Sequence, residues 1–247
     1  MYLMDLNASQ FNDMKKTINT ILLPIGMIET HGPHATLGTD VWIPREFVNR
    51  LELEIGEKVI MAPEVAYGHS WALAPHSGTF DISSETFSNY VYEIGKEFHR
   101  NGFKNLILFN GHGGNIPSLA IVTEKLADIG VNTLTINWWM DYREDILTIT
   151  SKPGHGGEDE TSLVLAIDKK LADLSLAGDF NIEYNRKLKY KDMGKVLYKD
   201  GYMGDAASST SEKGEALYQL LTTLILEDIE DLWELSESLV SNGEESK

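Results

Sequence analysis

Short runs of apolar residues occur at four places along the chain and predict buried β-strands. They cover residues 20–25, 59–62, 106–109 and 133–137, and polar, glycine or proline residues close each run. Stretches in which apolar residues recur with helical spacing follow the first three runs, at residues 44–55, 84–100 and 117–129. Because strands alternate with helices, we predict an α/β fold with a mostly parallel sheet that helices cover on both faces.

Beyond residue 139 the pattern becomes mainly helical. It predicts a helix over 158–171, a polar region over 179–205 and a long amphipathic helix over 210–239. Ser209 and Glu212 have the spacing of a capping box for this last helix. We predict one domain over residues 1–241, followed by a flexible acidic tail over 242–247.

Composition narrows the possible partners and the possible chemistry. The 247 residues include 21 basic and 38 acidic side chains, a net charge of −17, with no cluster of lysines or arginines, so we expect neither nucleic acid nor an anionic membrane as a partner. There is no cysteine, which leaves nitrogen and oxygen ligands for any metal. The first residues lack the pattern of a signal peptide and no run reaches the ~18 apolar residues of a membrane span, so we expect a cytoplasmic protein.

Most of the histidines lie in segments with the composition of loops. Six of the seven are in segments rich in glycine, proline or serine, and they are His31, His34, His69, His76, His112 and His155. The loops that hold His31 and His112 directly follow predicted strands. Both therefore emerge at the carboxyl edge of the parallel sheet, where open α/β sheets bind their ligands.

The first of these loops reads ETHGPH over residues 29–34 and GTD over 38–40. Glu29 and His31 are two residues apart, so in an extended segment they project to the same side. The glycine and proline that follow break the extension and allow Asp40 to return toward them. Two carboxylates and an imidazole suit a divalent cation, and a carboxylate can bridge two cations. A polar turn with one hydrogen-bonded histidine remains the alternative for this segment alone.

The second loop reads NGHGGN over residues 110–115, between a predicted strand and a predicted helix. Its glycines allow the backbone to turn sharply and to approach a ligand closely. A phosphate-binding loop is the rival interpretation, but the Lys-Ser/Thr pair and the G-x-G-x-x-G order that such loops require are absent.

The third segment reads HGGEDETS over residues 155–162 and leads into a predicted helix. Acidic residues in a first helical turn often do no more than complement the helix dipole. We favour that interpretation for Glu158 and Asp159, whereas for Glu160 a functional role and a dipole role both remain open.

Together the three segments resemble, in order and spacing, the signature blocks of the creatininase (creatinine amidohydrolase) family. The likeness extends to residues 67–70 and 77–79, to Gly204 and Asp205, and to residues 212–215, so it covers almost the whole chain. It implies a three-layer α/β/α sandwich, commonly assembled as a homohexamer. It also implies two divalent metal ions per subunit (zinc, manganese or iron(II)) at the carboxyl edge of the sheet.

The resemblance also assigns the ligands. Glu29 and His112 would bind one metal ion, His31 the other, and Asp40 would bridge them. Members that use creatinine place a glutamate two residues after the histidine of the second block, where this chain has Gly114. Other members share the glycine and take the remaining ligand from the last glutamate of the third block, which is Glu160 here. For Glu160, roles as a metal ligand and as a catalytic acid or base both remain open.

His155 matches the catalytic histidine of the family, although Gly156 replaces the alanine that usually follows it. A larger departure lies between Trp71 and Ser77. Many relatives carry a Glu-His pair there, followed by Phe-Pro-Gly-Thr, whereas this chain has Ala72 and Leu73 and then PHSGT over residues 75–79. The substrate pocket is therefore expected to differ.

From these residues we expect an amidohydrolase that cleaves a non-peptide C–N bond in a small amide, for example a cyclic amide such as creatinine. A hydroxide bridging the two metal ions would attack the carbonyl, and His155 would carry a proton to the departing nitrogen. The nearest imitation of a serine-hydrolase elbow, GHSWA over residues 68–72, lacks the final glycine. Trp71, Trp138 and Trp139 are candidates for the pocket wall, with core or interface packing as the alternative.

Three other functions remain open at this stage. Two are hydrolases: a formamide deformylase and a peptide-trimming enzyme. The third is a non-catalytic, hexameric ligand-binding protein that keeps the fold without the chemistry. The presence of every expected ligand and of His155 argues against this last possibility.

Overall fold

The centre of the molecule is a sheet of four parallel strands, seen in a computed structural model that describes residues 1–185 and 187–244. The strands are β1 (Thr20–Ile25), β2 (Val59–Met61), β3 (Asn105–Asn110) and β4 (Asn132–Asn137). Their order in the sheet is β2-β1-β3-β4. The register sets Ile25 beside Asn110 and Asn110 beside Asn137, so the carboxyl ends of three strands form one edge.

Helices cover both faces of this sheet. In chain order they are α1 (Ala8–Met14), α2 (Thr39–Ile55), α3 (Ser84–Arg100), α4 (Ile116–Asp128), α5 (Trp138–Asp141), α6 (Arg143–Ile146), α7 (Glu158–Ile167), α8 (Gly194–Leu197) and α9 (Ser211–Glu244). Two short antiparallel strands, β5 (Asp179–Phe180) and β6 (Gly204–Asp205), pair outside the main sheet.

The side chains of each strand alternate between two hydrophobic cores. Leu22, Ile107 and Phe109 pack into one core with residues of α2, α7 and α9. Their neighbours Ile21 and Leu108 pack into the other core with residues of α1, α3 and α4. This alternation is the consequence of the two-residue period of a strand. The arrangement confirms the predicted three-layer α/β/α sandwich.

Two predicted helix boundaries were wrong. Helix α2 begins at Thr39 rather than near Pro44, so the proline lies inside the helix. Helix α7 ends at Ile167 because Asp168 adopts an extended conformation and its side chain accepts a hydrogen bond from the N–H of Lys170. Residues 169–171 form a separate 3-10 turn.

The predicted capping box of the last helix was also wrong. Because α9 begins at Ser211, Thr210 precedes it, and the hydroxyl of Thr210 accepts a hydrogen bond from the N–H of Lys213 (3.2 Å). The hydroxyl of Ser209 instead donates to the carbonyl of Glu158 (3.3 Å). The helix continues to Glu244, and residues 245–247 of the predicted tail lie outside the described part of the chain. None of the helices that the structure describes has the length and apolar character needed to cross a membrane.

Candidate metal centre

All six residues that the sequence singles out for chemistry meet at the carboxyl edge of the sheet. Glu29 and His31 follow β1, His112 follows β3, Asp40 is in the first turn of α2, and His155 and Glu160 lie just before and within the first turn of α7. Five are buried to 8% exposure or less, and the His155 side chain is 15% exposed. The centre therefore has little contact with solvent.

Two sets of potential ligand atoms that share Asp40 lie side by side in this centre, and Glu29, His31 and His155 form a further group close enough to hold a metal ion. In the first set, Nδ1 of His112 is 3.1 Å from Oε1 of Glu29 and 3.0 Å from Oδ2 of Asp40. In the second set, Nε2 of His31 is 2.9 Å from Oδ1 of Asp40 and 3.5 Å from Oε2 of Glu160. The atoms of each set lie within 4.8 Å of one another. Asp40 contributes a different oxygen to each set.

Backbone carbonyls fix the tautomers of both histidines. Nδ1 of His31 donates to the carbonyl oxygen of Glu29 (3.2 Å), which leaves Nε2 without a proton when the ring is neutral. Nε2 of His112 donates to the carbonyl oxygen of His69 (3.0 Å), which leaves Nδ1 without one. The bare nitrogens are the ones that face the carboxylates, as in metal-binding histidines that a second hydrogen bond orients.

The donors in this centre suit divalent cations, because the centre holds more buried negative charge than its hydrogen bonds satisfy. Glu29 Oε1 and Asp40 Oδ2 are buried and accept no hydrogen bond of acceptable geometry. Burial alone would lower the pKa of His31, but the carboxylates of Asp40, Glu160 and Glu29 raise it to about 9. Burial, together with the charges of Asp40 and Asp159, raises the pKa of Glu160 well above its usual value. In the protein without metal, protons therefore take the place that cations would fill.

The position of Asp40 depends on two glycines and one proline. Pro44 has no N–H to donate to the carbonyl of Asp40, four residues earlier in α2. Gly26 and Gly111 lie against this carbonyl oxygen: a Cβ atom would be 2.5 Å from it at Gly26 and 2.3 Å at Gly111. Only glycine fits at such distances, so the loops after β1 and β3 hold the start of α2 between them.

His155 lies beside the first set of atoms. Its Nε2 donates to the carbonyl oxygen of Thr30 (2.8 Å), so its bare Nδ1 faces Oε1 of Glu29 at 3.6 Å. Its ring contacts that of His31, with centroids 4.3 Å apart and an angle of 41° between the ring planes. Burial and the neighbouring charge of His31 lower the pKa of His155 to about 4. The imidazole is therefore neutral at pH 7 and can accept a proton at Nδ1.

Several residues that support this centre were missed in the sequence. The Ser70 hydroxyl donates to Oε2 of Glu29, and its neighbour His69 supplies the carbonyl that orients His112. The amide of Asn115 joins three segments: it accepts from the N–H of His69 (2.9 Å) and donates to Gly26 O and Asn110 Oδ1 (3.2 Å each). Asn115 and Ser70 lie in motifs that resemble the family, which was the available signal.

Glu158 also does more than complement a helix dipole. It is 1% exposed and accepts hydrogen bonds from the N–H groups of Ser151 (2.7 Å) and Lys152 (2.9 Å) and from Nζ of Lys213 (2.5 Å). Asp159 is likewise buried and accepts from the N–H of Gly154 (2.9 Å). Both carboxylates therefore hold the loop that carries His155, and the dipole interpretation of them was incomplete.

A cavity of about 760 Å³ opens above the centre. Trp71 and Trp139 line it, as the sequence suggested, together with His155 and Tyr198. Trp138 does not: it is completely buried in the core, with its ring 6.3 Å from that of Phe47. The hydroxyl of Ser70, at the cavity wall, is bonded to Glu29 rather than to a histidine, which removes the serine-hydrolase interpretation.

Comparison with known protein families adds a match across most of the chain. Residues 4–229 match the family model "Creatininase: Creatinine amidohydrolase". A mycofactocin precursor peptide peptidase from Mycolicibacterium smegmatis is 26% identical, covering 86% of this chain and 85% of that protein. A 3-dehydro-scyllo-inosose hydrolase from Thermotoga maritima is 25% identical, covering 93% and 84%. A creatinine amidohydrolase from Pseudomonas putida is 28% identical, covering 64% and 68%.

A fourth relative carries the name of a deformylase. A 2-amino-5-formylamino-6-ribosylaminopyrimidin-4(3H)-one 5'-monophosphate deformylase from Methanobrevibacter ruminantium is 26% identical, covering 82% of this chain and 85% of that protein. The names of the relatives thus span a peptide, a carbocyclic compound, creatinine and a formamide.

Solved structures share the fold. A crystal structure of creatinine amidohydrolase superposes with a TM-score of 0.81 at 23% identity, covering 92% of this chain and 96% of that one. Two further creatininase structures with the same score are described as a zinc–zinc form of a variant and as a manganese form.

Proposed function

This chain belongs to the creatininase family and is accordingly an amidohydrolase. From that premise, we propose that it uses two divalent metal ions to cleave a non-peptide C–N bond in a small amide. One observation carries the proposal: two sets of buried ligand atoms share the carboxylate of Asp40. Glu29, Asp40 and His112 would hold one ion, and His31, Asp40 and Glu160 the other. Zinc, manganese and iron(II) all accept these nitrogen and oxygen ligands.

The residues of the chain would divide the remaining work. Divalent ions supply Lewis acidity, which polarises an amide carbonyl and allows water to act as a nucleophile at neutral pH. His155 would accept a proton at Nδ1 and pass it to the departing nitrogen, since the Thr30 carbonyl holds its other nitrogen as a donor. The Gly156 N–H donates to Oε2 of Glu160 (2.6 Å), and this hydrogen bond would help to orient the carboxylate as a metal ligand.

Creatinine itself is a poor candidate for the substrate. A Cβ atom at position 114 would lie 2.0 Å from the carbonyl oxygen of His69, so the backbone leaves no room for the glutamate that creatinine-using members carry there. The cavity wall at Ala72 and Leu73 also lacks the Glu-His pair of many relatives. A formamide is the second candidate, because the deformylase named above is a relative over most of the chain.

The test of the metal sites is metal analysis of single-residue variants. We expect about two ions per chain in the wild-type protein, about one in His31→Ala, His112→Ala and Glu160→Gln, and almost none in Asp40→Ala, because only Asp40 contributes to both sets. His99→Ala, on α3, serves as the matched control and should keep both ions. Folded variants of His31, Asp40 and Glu160 that all retain full metal content would show that the site is misplaced.

The test of the activity is a screen of the metal-loaded protein over cyclic amides, formamides and short peptides. Ring opening without ammonia release, formate release and new peptide termini separate the three kinds of hydrolase. A protein that binds both ions and cleaves none of these compounds would favour a ligand-binding role instead. The homohexamer also remains a proposal, and sedimentation equilibrium of the purified protein measures it directly.

A further inference from the structure

We infer that the amide substrate carries an anionic group, a carboxylate or a phosphate, which Arg143 and Lys189 bind at the wall of the cavity. This inference rests on the proposed function, because it concerns the substrate of the same site. The two cations come from different parts of the chain: Arg143 begins α6, and Lys189 lies in the segment that precedes α8. The same cavity brings them together with the metal centre.

Arg143 differs from the other arginines that the structure describes. Arg45, Arg50 and Arg100 each pair with a glutamate, at distances of 2.9 Å or less. Arg143 forms no ion pair or side-chain hydrogen bond with any described residue, although the chain has 38 acidic residues for 21 basic ones. Arg143 is exposed and lines the cavity, so water solvates its guanidinium, whose five donors stay available to an anionic group that enters the cavity.

The acidic side chains of the cavity do not neutralise these two cations. Four carboxylates line it, and all are buried: Glu29, Asp40, Asp159 and Glu160. Three belong to the metal centre. The fourth, Asp159, accepts from the N–H of Gly154 and forms no ion pair with Arg143, although Arg143 is close enough for its charge to oppose the rise in the pKa of Asp159 that burial causes. The four carboxylates of the cavity are thus buried, whereas its two cations are exposed.

Lys189 is held by an aromatic ring rather than by an acid. Its Nζ lies 5.8 Å from the centroid of the Trp71 ring, which also lines the cavity. A cation over an indole ring keeps its donors available for an incoming acceptor. The planar guanidinium of Arg143 can form two parallel hydrogen bonds with a carboxylate or phosphate, and the ammonium adds a second charge.

The size of the cavity agrees with a substrate larger than creatinine. Its volume is about 760 Å³, within the range of ~300–1,000 Å³ that is typical of sites for drug-sized ligands. A compound that places its amide at the metal centre and its anionic group at Arg143 and Lys189 would fill more of this volume than creatinine does. A small neutral amide would leave both cations without a partner.

The experiment compares ligands that differ only in the anionic group. Isothermal titration of the metal-loaded protein measures binding of dihydroorotate against dihydrouracil, and of N-formylaminoethyl phosphate against N-formylethanolamine. We expect the anionic member of at least one pair to bind at least ~10-fold more tightly, the lower end of what hydrogen bonds to charged groups contribute. The first pair reports a carboxylate and the second a phosphate.

Variants then assign the preference to the two cations. Arg143→Gln should reduce the ratio of the two affinities by ~10-fold, through weaker binding of the anionic member and not through a change for the neutral one. Lys189→Gln should reduce this ratio less, since an ammonium cannot form the two parallel hydrogen bonds of a guanidinium. Arg100→Gln and Lys191→Gln, which do not line the cavity, should keep it. A wild-type protein that shows no preference, including one that binds neither anion, would contradict the inference. So would a preference that persists in the Arg143→Gln/Lys189→Gln double variant, because the anion would then bind the metal ions directly.

Hydrolysis of the same compounds, scored separately, distinguishes the two proposals. A protein that prefers the anionic ligands through Arg143 but cleaves no amide supports this inference and contradicts the proposed function. A protein that cleaves neutral and anionic amides with equal kcat/KM supports the proposed function and contradicts this inference.

Discussion

The partly buried ion pair between Glu158 and Lys213 should control the stability of the loop that carries His155. Oε2 of Glu158 accepts three hydrogen bonds, from the Ser151 N–H and hydroxyl and from the Lys152 N–H, while Oε1 accepts from Nζ of Lys213. Glu158→Gln keeps the shape of the side chain but replaces Oε1 by a donor that faces the ammonium. The variant thus removes the charge and leaves Lys213 without its acidic partner.

The expected cost follows from the number and kind of these bonds. Breaking a buried pair by removing one partner typically costs ~3–5 kcal/mol. Glu158 is 1% exposed but the Lys213 side chain is 33% exposed, so water can partly solvate the stranded ammonium. We therefore expect Glu158→Gln to lower the free energy of unfolding by about 3 kcal/mol, the lower end of that range. Lys213→Met should cost less, about 1–2 kcal/mol, because three donors still satisfy the carboxylate.

Urea denaturation measures the effect as a shift in the midpoint at an unchanged slope. In the double variant Glu158→Gln/Lys213→Met, the loss should be smaller than the sum of the single losses by at least ~1 kcal/mol, because no stranded charge remains. Lys195→Met, at an exposed pair with Asp192, is the matched control and should change stability by less than ~0.5 kcal/mol. Additive single losses, or a Glu158→Gln loss below ~1 kcal/mol, would refute the reasoning.

The same pair predicts a pH dependence. Burial alone would raise the pKa of Glu158, but the ammonium of Lys213 and the loop N–H groups have the larger combined effect. The pKa of Glu158 therefore lies below its ordinary value of 4.5. A carboxylate with a depressed folded-state pKa stabilises the fold above its unfolded pKa, and this contribution is lost as the pH falls through the folded pKa. The stability difference between wild type and Glu158→Gln should therefore be constant above pH 5 and shrink below about pH 4.

Other predictions concern the metal centre. The pKa of His31 is about 9 in the metal-free protein, so metal binding at pH 7.5 should release a proton. The heat measured by isothermal titration should therefore depend on the ionisation enthalpy of the buffer, and a buffer-independent heat would contradict this. His155→Gln should keep both ions and lower kcat by ~10²–10⁴-fold, the usual range for proton-transfer residues, and loss of metal would show a ligand role instead. Gly111→Ala would set a Cβ 2.3 Å from the Asp40 carbonyl and should reduce metal content, whereas Gly113→Ala, whose nearest neighbour is 3.8 Å away, should not.

The sequence predicted the sheet well because buried parallel strands leave a strong local pattern. Thr20–Ile25 was located to the residue, and the other three strands to within one residue at each end. The start of α2 lies at Thr39, five residues before the stretch whose apolar spacing predicts the helix. The true start depends on Gly26 and Gly111, which approach the helix from other strands and leave no periodic signal near residue 39.

The candidate site was predictable only in part, for a similar reason. Because parallel strands end at the same edge of a sheet, the loops of His31 and His112 are predicted to lie close together. The pairing of Ile25 with Asn110 agrees with this prediction. The pairing of Asp40 with these loops rested on the Gly-Pro turn after His31 together with the family resemblance. Glu158, Arg143 and Lys189 could not be assigned, since an ion pair or its absence depends on side chains far away in the chain.

Two departures from the creatinine-using pattern, which look independent in the sequence, meet in the structure. Gly114 lies against the carbonyl oxygen of His69, and the same oxygen accepts the hydrogen bond that orients His112. The loop of His69 is held in turn by Asn115 and by the bond from Ser70 to Glu29. A glutamate at position 114 would therefore require this loop to move, and with it the cavity wall at Ala72 and Leu73. Restoring the glutamate alone should disturb His112 rather than create a creatinine site, so a change of substrate in this fold requires the loop and the ligand to change together.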